Sequence, residues 1–429
     1  MKNRFVRDSF LTAVILALTG LGQVSLARGD EVTEWNENMF TAVFTARTSP
    51  LFTIRVTALV QAAVFDAVNG VYRRYTPVHV PPEAPNGASA RAAVVQAAYA
   101  SLLNLYPAQK ATLDAQLVAS LAELNDEPGG VFGQSVQRGA AWGQYVADKI
   151  WAWRSADGIT PNPPPFLGGT NIGQWRPTPP GLLSGAGPQF AYMTTWVIPS
   201  REAFRPPGPP ALGTLQYAAD VNESQLMGRD SSAARTADQT LFSIFWNGNT
   251  AGFWNRTAIQ VAERYDLSLL EKARVLALMN LAEADAVLCC WEAKYTHVYW
   301  RPITAIAFGD FDGNPATSGD ASWNPLLITP NHPEYPSGHS SASGASAEVL
   351  GNLFGDATQF SVTSELTPGV TRYYSSFSAA VDEVRDARVF GGIHFRSACQ
   401  DGQAMGRKVA QYVLDNALQR VRGNAPLGY

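Results

Sequence analysis

Cysteine is scarce in this chain, and its scarcity excludes a fold built on disulfide bridges. Only 3 of the 429 residues are cysteine, too few for the framework that stabilises small secreted domains. Cys289 and Cys290 are adjacent on a predicted helix and Cys399 stands alone, which favours buried free thiols. A bridge from Cys399 to one of the pair is the alternative in an oxidising compartment.

Positive charge and long apolar runs are also in short supply. The formal net charge of −4 gives the chain no electrostatic reason to bind nucleic acid. One apolar run, residues 10–21, lies between basic residues and a small-x-small site at residues 25–27, which predicts a cleaved secretory signal over residues 1–27. No other uninterrupted run of about 18 apolar residues follows. We therefore expect a secreted or periplasmic protein with no membrane contact after removal of the signal.

Alternating strand patterns are absent as well, and apolar residues recur instead at helical spacing. Such segments predict one helical bundle in residues 28–158 and a second in residues 213–429. Residues 159–212, between them, are dense in proline and glycine but too aromatic for disorder, which predicts an ordered connecting loop that packs across the molecule. The expected fold is mainly α, with two four-helix-type bundles and long Pro/Gly-rich loops. The predicted helices are 52–71, 90–106, 109–124, 134–153, 214–227, 233–246, 255–265, 268–300, 378–390 and 399–418.

Three polar motifs stand out in the last third of the chain. In the first, Lys294 and Arg301 lie seven residues apart, so a continuous helix would return both cations to one face after two turns. In the second, Pro336 precedes Ser337, a good helix N-cap, and His339. The first amides of such a helix have no intrahelical partner and attract anions.

The third motif runs from Arg388 through a Gly-Gly pair to His394. Together the three motifs supply cations that can offset the charge of a tetrahedral oxyanion and donate hydrogen bonds to it. Taken singly, each has an ordinary structural interpretation: a capped helix, a surface or ion-paired cation, or a core histidine. Their joint order favours an anion site.

The order Lys-x6-Arg-Pro, Pro-Ser-Gly-His and Arg-x5-His resembles the vanadium-dependent haloperoxidases and the related phosphatidic acid phosphatase type 2 acid phosphatases. Trp291 and the Tyr-Trp-Arg-Pro run that contains Arg301 resemble the haloperoxidase branch. The family's last motif usually reads Ser-Arg-x5-His-x3-Asp, whereas this chain has Ala387 and Ala398 at its outer positions. The missing carboxylate would orient His394, and Asp401 or a backbone carbonyl is the alternative acceptor.

The resemblance implies an enzyme that oxidises halide with hydrogen peroxide, with vanadate as cofactor and a small organic molecule as final acceptor. His394 would bind vanadium, His339 would be the acid–base group, and Lys294 would polarise peroxide. His332, at a position where bromide-oxidising relatives tend to have histidine, hints at bromide. Asp238 is the candidate carboxylate for holding Arg388. The implied vanadate-binding residues are Lys294, Arg301, Ser337, Gly338, His339, Arg388 and His394.

Two other functions use the same residues. In an acid phosphatase, His394 would attack phosphorus to form a phosphohistidine and His339 would protonate the leaving alkoxide. In a non-enzymatic oxyanion-binding protein, Ala398 would mark decayed catalysis. If the orientation of His394 depends on position 398, vanadate should bind weakly here and Ala398→Asp should tighten it.

Overall fold

The computed structural model describes residues 30–421, so the predicted secretory signal lies outside the described residues. The fold is mainly α, as predicted. The helices of the first half are α1 (Glu31–Thr45), α2 (Pro50–Tyr72), α3 (Ala90–Leu105), α4 (Lys110–Ala122) and α5 (Gln134–Arg154). Those of the second half are α6 (Leu215–Met227), α7 (Ala237–Phe245), α8 (Thr250–Arg264), α9 (Leu269–His297), α10 (Pro302–Ala307), α11 (Gly338–Phe354), α12 (Phe377–Phe390) and α13 (Arg396–Asn416).

Four elements escaped the sequence prediction, namely α1, α10 and the two strands described below. Helix α1 begins at an Asp30 cap that accepts hydrogen bonds from the amides of Val32 and Thr33. A short antiparallel ribbon joins β1 (Phe360–Thr363) to β2 (Thr371–Tyr374). Each strand has four residues, which is too short for an alternating pattern to be recognised in the sequence.

The two predicted bundles share a hydrophobic core. A single cluster of buried apolar side chains extends from Val32 in α1 to Leu418 beyond α13, and α2 packs directly against α9. Within residues 30–421, α2 is long and apolar enough to cross a membrane, but most of it is buried inside the protein. Its apolar character therefore belongs to the core.

The Pro/Gly-rich loop is held to α9 by a buried carboxylate. Asp285 accepts hydrogen bonds from the amides of Trp196, Val197 and Ile198 at 2.7, 2.8 and 3.0 Å. Nearer the start of the same loop, the Ala186 carbonyl accepts a hydrogen bond from Trp291 Nε1 at 3.2 Å. The loop is therefore ordered and passes beside the residues of the first motif.

Glycines bring α13 close to the start of α11. A Cβ added at Gly406 would lie 2.1 Å from the Ser341 carbonyl oxygen, and one at Gly344 would lie 2.7 Å from the Gln403 carbonyl oxygen. Because α13 begins just after His394, this close packing places the third motif against the second. The three cysteines are buried and free, which confirms the free-thiol prediction.

Candidate oxyanion site

The polar motifs converge on a cavity of about 300 Å³ beside the first turn of α2. Three of the implied vanadate-binding residues lie fully buried behind its wall: Lys294, Arg301 and Ser337. The wall itself includes six of the residues selected from the sequence, which are Trp291, His332, Gly338, His339, Arg388 and His394.

The second motif forms a capped helix start, as its residues predict. Ser337 is the N-cap of α11, and its Oγ accepts from the Ser340 amide at 3.4 Å. The Ser337 amide donates to the Ala398 carbonyl at 3.0 Å, which ties the cap to α13. The N-terminal end of α11, with Gly338 and His339, therefore points its dipole at the cavity.

The helical argument that placed Lys294 beside Arg301 was wrong. Helix α9 ends at His297, Val298 adopts a left-handed conformation with φ of 48°, and Arg301 is the N-cap of α10. Pro302 occupies the first position of α10, where its missing amide costs nothing. A turn, and not two turns of one helix, brings the two cations into the same region.

Lys294 donates hydrogen bonds to backbone carbonyls at the start of the second motif. Its Nζ donates to the carbonyls of Pro333 at 2.9 Å and Glu334 at 2.8 Å, and also to that of Pro336. Burial lowers the pKa of Lys294 to about 8. In this arrangement the ammonium holds the 333–336 segment, and its charge acts on the cavity through space.

Arg301 connects two histidines of the cavity wall. Its Nη1 lies 3.1 Å from His394 Nε2 and donates to the Ile393 carbonyl at 2.6 Å. Its Nη2 lies 3.0 Å from His332 Nδ1. A guanidinium only donates, so the facing nitrogen of His394, Nε2, is an acceptor.

His394 is oriented from behind by Glu334, a residue that the sequence analysis missed. Because Nε2 accepts from Arg301, the neutral ring carries its proton on Nδ1, which lies 2.8 Å from Glu334 Oε1. The same oxygen accepts from the Phe395 amide at 2.9 Å. Burial lowers the pKa of His394 well below its usual range, and Arg301 and Lys294 act in the same direction. The ring is thus neutral, with its lone pair on Nε2.

Glu334 thereby supplies the carboxylate that is missing at position 398. Asp401, the substitute considered from sequence, instead accepts a hydrogen bond from Tyr335 Oη at 2.6 Å. Ala398 is fully buried in a small apolar cluster that contains Tyr217 and Trp300. The sequence does place Glu334 three residues before Ser337, close to the second motif. Its position in the chain does not show that its side chain contacts His394.

We expect Ala398→Asp to do harm, contrary to the expectation from the motif alone. The new carboxylate would be buried among apolar groups, and an unpaired buried charge typically costs several kcal/mol. Thermal unfolding should show a lower midpoint, and vanadate should bind no more tightly than to the unmodified protein. Tighter binding in the Asp variant would mean that Glu334 does not orient His394.

Arg388 and His339 form the other side of the cavity. Arg388 Nη1 donates to Asn247 Oδ1 at 3.0 Å, and Arg388 Nε is buried without a partner. His339 Nε2 lies 3.2 Å from the Gly248 carbonyl. Burial lowers the pKa of His339 well below its usual range, and the charge of Arg388 adds to this. Asn247 and Gly248 come from the turn before α8, which no sequence motif marked.

The assignment of Asp238 was wrong. Asp238 is exposed at the start of α7 and pairs with Arg372, with Nη1 and Oδ1 2.8 Å apart. The side chain that actually holds Arg388 is the neutral amide of Asn247. Arg388 therefore has no carboxylate beside it to neutralise its positive charge. That charge is available to an anion bound in the cavity.

Positive charge is concentrated in the cavity wall and directly behind it, which favours the binding of an anion. Lys294 and Arg301 are 0% exposed and Arg388 is 1% exposed, and burying unpaired charge is costly. Among the described residues, no three His, Cys, Asp or Glu side chains are grouped to hold a metal cation. Three buried cations, the orphaned Arg388 Nε and one neutral imidazole nitrogen instead suit a tetrahedral oxyanion, including an oxyanion of vanadium.

Anion binding should weaken as the pH rises above about 8, where Lys294 loses its proton and Glu334, whose pKa burial raises to about 8, gains negative charge. A bound anion favours the charged lysine and raises its pKa, so the gain in affinity is fully present below the free pKa and is lost as the pH rises through the higher pKa of the bound state. Each unit of rise is worth about tenfold in affinity. Sulfate is a suitable probe because its charge is constant over this range, and calorimetry measures the affinity. An affinity independent of pH would mean that neither Lys294 nor Glu334 interacts with the bound anion.

Trp291 and His332 form one side of the cavity together. Their ring centroids are 5.1 Å apart, and Lys294 Nζ lies 5.7 Å from the Trp291 ring centroid. Burial lowers the pKa of His332 well below its usual range, and Arg301 reinforces the effect. A neutral imidazole therefore stands at the position that the family resemblance connects with halide choice.

The fold and the buried cations define a mainly α protein with a candidate oxyanion site, and comparison with known proteins shows what the chain is similar to. Residues 274–423 match the family described as the VCPO second helical-bundle domain. The chain is 26% identical over 335 residues to the vanadium chloroperoxidase of Curvularia inaequalis, covering 62% of this chain. It spans about half, 53%, of the length of that relative.

Solved structures show the same fold over most of the chain. A bacterial vanadium-dependent iodoperoxidase superposes with a TM-score of 0.78 at 24% identity, covering 91% of this chain and 97% of the other. An apo-type bacterial vanadium-dependent chloroperoxidase superposes with a TM-score of 0.67 at 18% identity, covering 85% and 92%. These findings confirm the predicted resemblance: the chain is similar in sequence to a vanadium chloroperoxidase and in fold to bacterial vanadium-dependent haloperoxidases.

Proposed function

We propose that the protein is a vanadate-dependent haloperoxidase that uses hydrogen peroxide to oxidise halide to hypohalous acid. The observation that carries the proposal is the pairing of a neutral His394, oriented through Nδ1 by Glu334, with buried cations that no carboxylate neutralises directly. When bound, vanadate would supply a Lewis acid that activates peroxide toward halide. The similarity of the chain to a vanadium chloroperoxidase and to a vanadium-dependent iodoperoxidase supports this cofactor.

The residues of the site have separate tasks in this proposal. His394 would hold vanadium through Nε2, the nitrogen that accepts from Arg301. Arg301 and Arg388 would bind oxyanion oxygens by charge-assisted hydrogen bonds. Lys294 would support them electrostatically from beneath the second motif. His339 is neutral at the cavity wall, so it is available to accept a proton from the incoming peroxide.

Bromide is the halide that we favour. A neutral His332 stands beside Trp291 in the wall, where the family resemblance connects histidine with bromide oxidation. The related proteins named above are chloroperoxidases and an iodoperoxidase, so the preference of this chain needs its own measurement. Bromide and chloride should be compared at equal concentration with the same acceptor.

The same cavity suits a phosphomonoesterase, because the Nε2 lone pair of His394 could attack phosphorus as well as bind vanadium. The test is a three-way assay on the purified protein. Halogenation that requires peroxide, bromide and added orthovanadate supports our proposal. Hydrolysis of a phosphate ester without vanadate, and no halogenation, would replace it with the phosphatase. If the folded protein has neither activity, the result would favour a non-enzymatic oxyanion-binding protein.

A further inference from the structure

The turn between α7 and α8 makes two contacts with the oxyanion site. Asn247 Oδ1 accepts from Arg388 Nη1 at 3.0 Å, and the Gly248 carbonyl lies 3.2 Å from His339 Nε2. A carbonyl oxygen only accepts, so Nε2 of the neutral His339 ring carries the proton and Nδ1 keeps the lone pair. The turn therefore determines which nitrogen of His339 can accept a proton.

Helix α12 holds this turn at a second point. Trp246, which directly precedes Asn247, donates from Nε1 to Glu383 Oε1 at 2.8 Å. Glu383 and Arg388 both belong to α12, so one helix is hydrogen-bonded to two consecutive residues of the turn. Trp246 is 2% exposed, and a hydrogen bond to an ionised acceptor is stronger than one between neutral groups. The turn cannot shift relative to Arg388 unless this buried bond breaks.

The β-ribbon fixes the carboxylate of Glu383. Arg372 Nε and Nη2 donate to its two oxygens at 2.7 and 2.6 Å, and Tyr374 Oη donates at 2.5 Å. Arg372 and Tyr374 are alternate residues of β2, so their side chains leave the strand on one face. Ser364, just after β1, donates to the Phe245 carbonyl at 2.8 Å and ties the ribbon to the end of α7. None of these ribbon residues lines the cavity, so the ribbon acts on the site through the turn.

Aromatic packing restricts the turn further. The centroid of the Phe253 ring lies 5.0 Å from that of Trp246 in a T-shaped arrangement. A Cβ added at Gly248 would lie 2.7 Å from Phe253 Cζ, so the same ring packs closely against the backbone of Gly248. Asn249 then donates to Thr53 Oγ1 at 3.1 Å, which ties the end of the turn to α2. The position of the Gly248 carbonyl is thus determined by contacts on both sides.

On the basis of the function proposed above, we propose that Glu383 is a positioning residue of the oxyanion site and acts through Trp246. By holding the turn in place, it fixes the guanidinium of Arg388 and selects the Nε2–H tautomer of His339. The base that the proposed reaction requires is then Nδ1 of this ring. Glu383 does not line the cavity, so its effect on a bound anion is indirect.

Trp246→Phe removes the indole donor and keeps an aromatic ring. We expect His339 to lose its single tautomer, and sulfate affinity, measured by calorimetry, to fall by about tenfold, since losing a partner that orients a site residue typically costs at least that much. Nitrogen NMR measures the tautomer. The protein has five histidines, and the spectrum of His339→Ala identifies the His339 signal among them.

Trp35→Phe is the matched control for this substitution. Trp35 is 1% exposed, and its Nε1 donates to Ser120 Oγ at 3.1 Å, between α1 and α4. The control therefore also removes a buried indole hydrogen bond and opens a similar gap in the core. It should leave the His339 tautomer and the sulfate affinity unchanged. Equal changes in both variants would overturn the proposal, because any loss of core packing would then disturb the site.

Variants of Glu383 test the carboxylate itself. Glu383→Ala should have the same two effects as Trp246→Phe. Glu383→Gln retains an oxygen that can accept from Trp246 Nε1, so it should restore the His339 tautomer and most of the sulfate affinity. A folded Glu383→Ala protein with the Nε2–H tautomer and normal sulfate affinity would overturn the positioning role.

These measurements need neither peroxide, halide nor vanadate, so they separate the positioning role from the proposed function. If halogenation is absent but Glu383→Ala still changes the tautomer and the sulfate affinity, the proposed function is wrong and the positioning role is supported. If halogenation is present but the tautomer is the same in every variant, the positioning role alone is wrong.

Discussion

His394→Ala should abolish tight orthovanadate binding and halogenation together. His394 is 1% exposed, and its ring is held from opposite sides by Glu334 at Nδ1 and by Arg301 at Nε2. Removing the ring removes the only proposed bond to vanadium and leaves Glu334 with the Phe395 amide alone. Calorimetric titration with orthovanadate, followed by a bromination assay of the same samples, measures both losses.

The His339→Ala variant is the matched comparison for His394→Ala. His339 lies on the cavity wall and its Nε2 contacts the Gly248 carbonyl, but nothing in the proposal bonds it to vanadium. The variant should therefore retain orthovanadate binding, while turnover falls by about 10²–10⁴-fold, as loss of an acid–base group typically does. Normal turnover in this variant would show that His339 is not the acid–base group, and full vanadate binding by His394→Ala would remove the proposed ligand.

Glu334→Ala should weaken orthovanadate binding by about 10- to 100-fold, the usual cost of losing a partner that orients a metal-bound histidine. Two donors, His394 Nδ1 and the Phe395 amide, would lose their common acceptor. The free His394 ring would then no longer be restricted to one tautomer and one orientation. Titration measures the affinity, and nitrogen NMR of the histidine ring measures which nitrogen carries the proton.

Glu334→Gln separates hydrogen bonding from charge. The amide oxygen of glutamine can accept from both His394 Nδ1 and the Phe395 amide, so the Nδ1–H tautomer should persist and most of the vanadate affinity should return. A purely structural role for Glu334 would instead lower the thermal midpoint of both variants without any change in tautomer. That outcome would contradict the orienting role.

The sequence predicted the class of fold and most helices because apolar residues at helical spacing report directly on burial. It also identified the three motifs, since Ser337 caps a helix and Arg388 and His394 are separated by a turn that Gly392 permits with φ of 74°. The ordered Pro/Gly-rich loop was likewise visible in its aromatic residues. Local patterns were sufficient wherever neighbours along the chain determine the structure.

The rest depended on contacts between distant segments. Glu334 reaches His394 across 60 residues, and Asn247 reaches Arg388 across 141. Asp238 looked suitable for Arg388 by its residue type alone, yet it lies next to Arg372 on the surface. The helical pairing of Lys294 with Arg301 failed because Val298 turns the chain before the second helical turn is complete. No spacing rule reports such long-range partners.

A crystal structure of the protein with orthovanadate tests the central claim most directly. We predict one vanadium atom bonded to His394 Nε2, with its oxygens hydrogen-bonded to Arg301 and Arg388 and with Glu334 still accepting from Nδ1. Vanadate at the protein surface, or a cavity that stays empty of vanadium at saturating concentration while Arg301 remains on His394, would contradict the account.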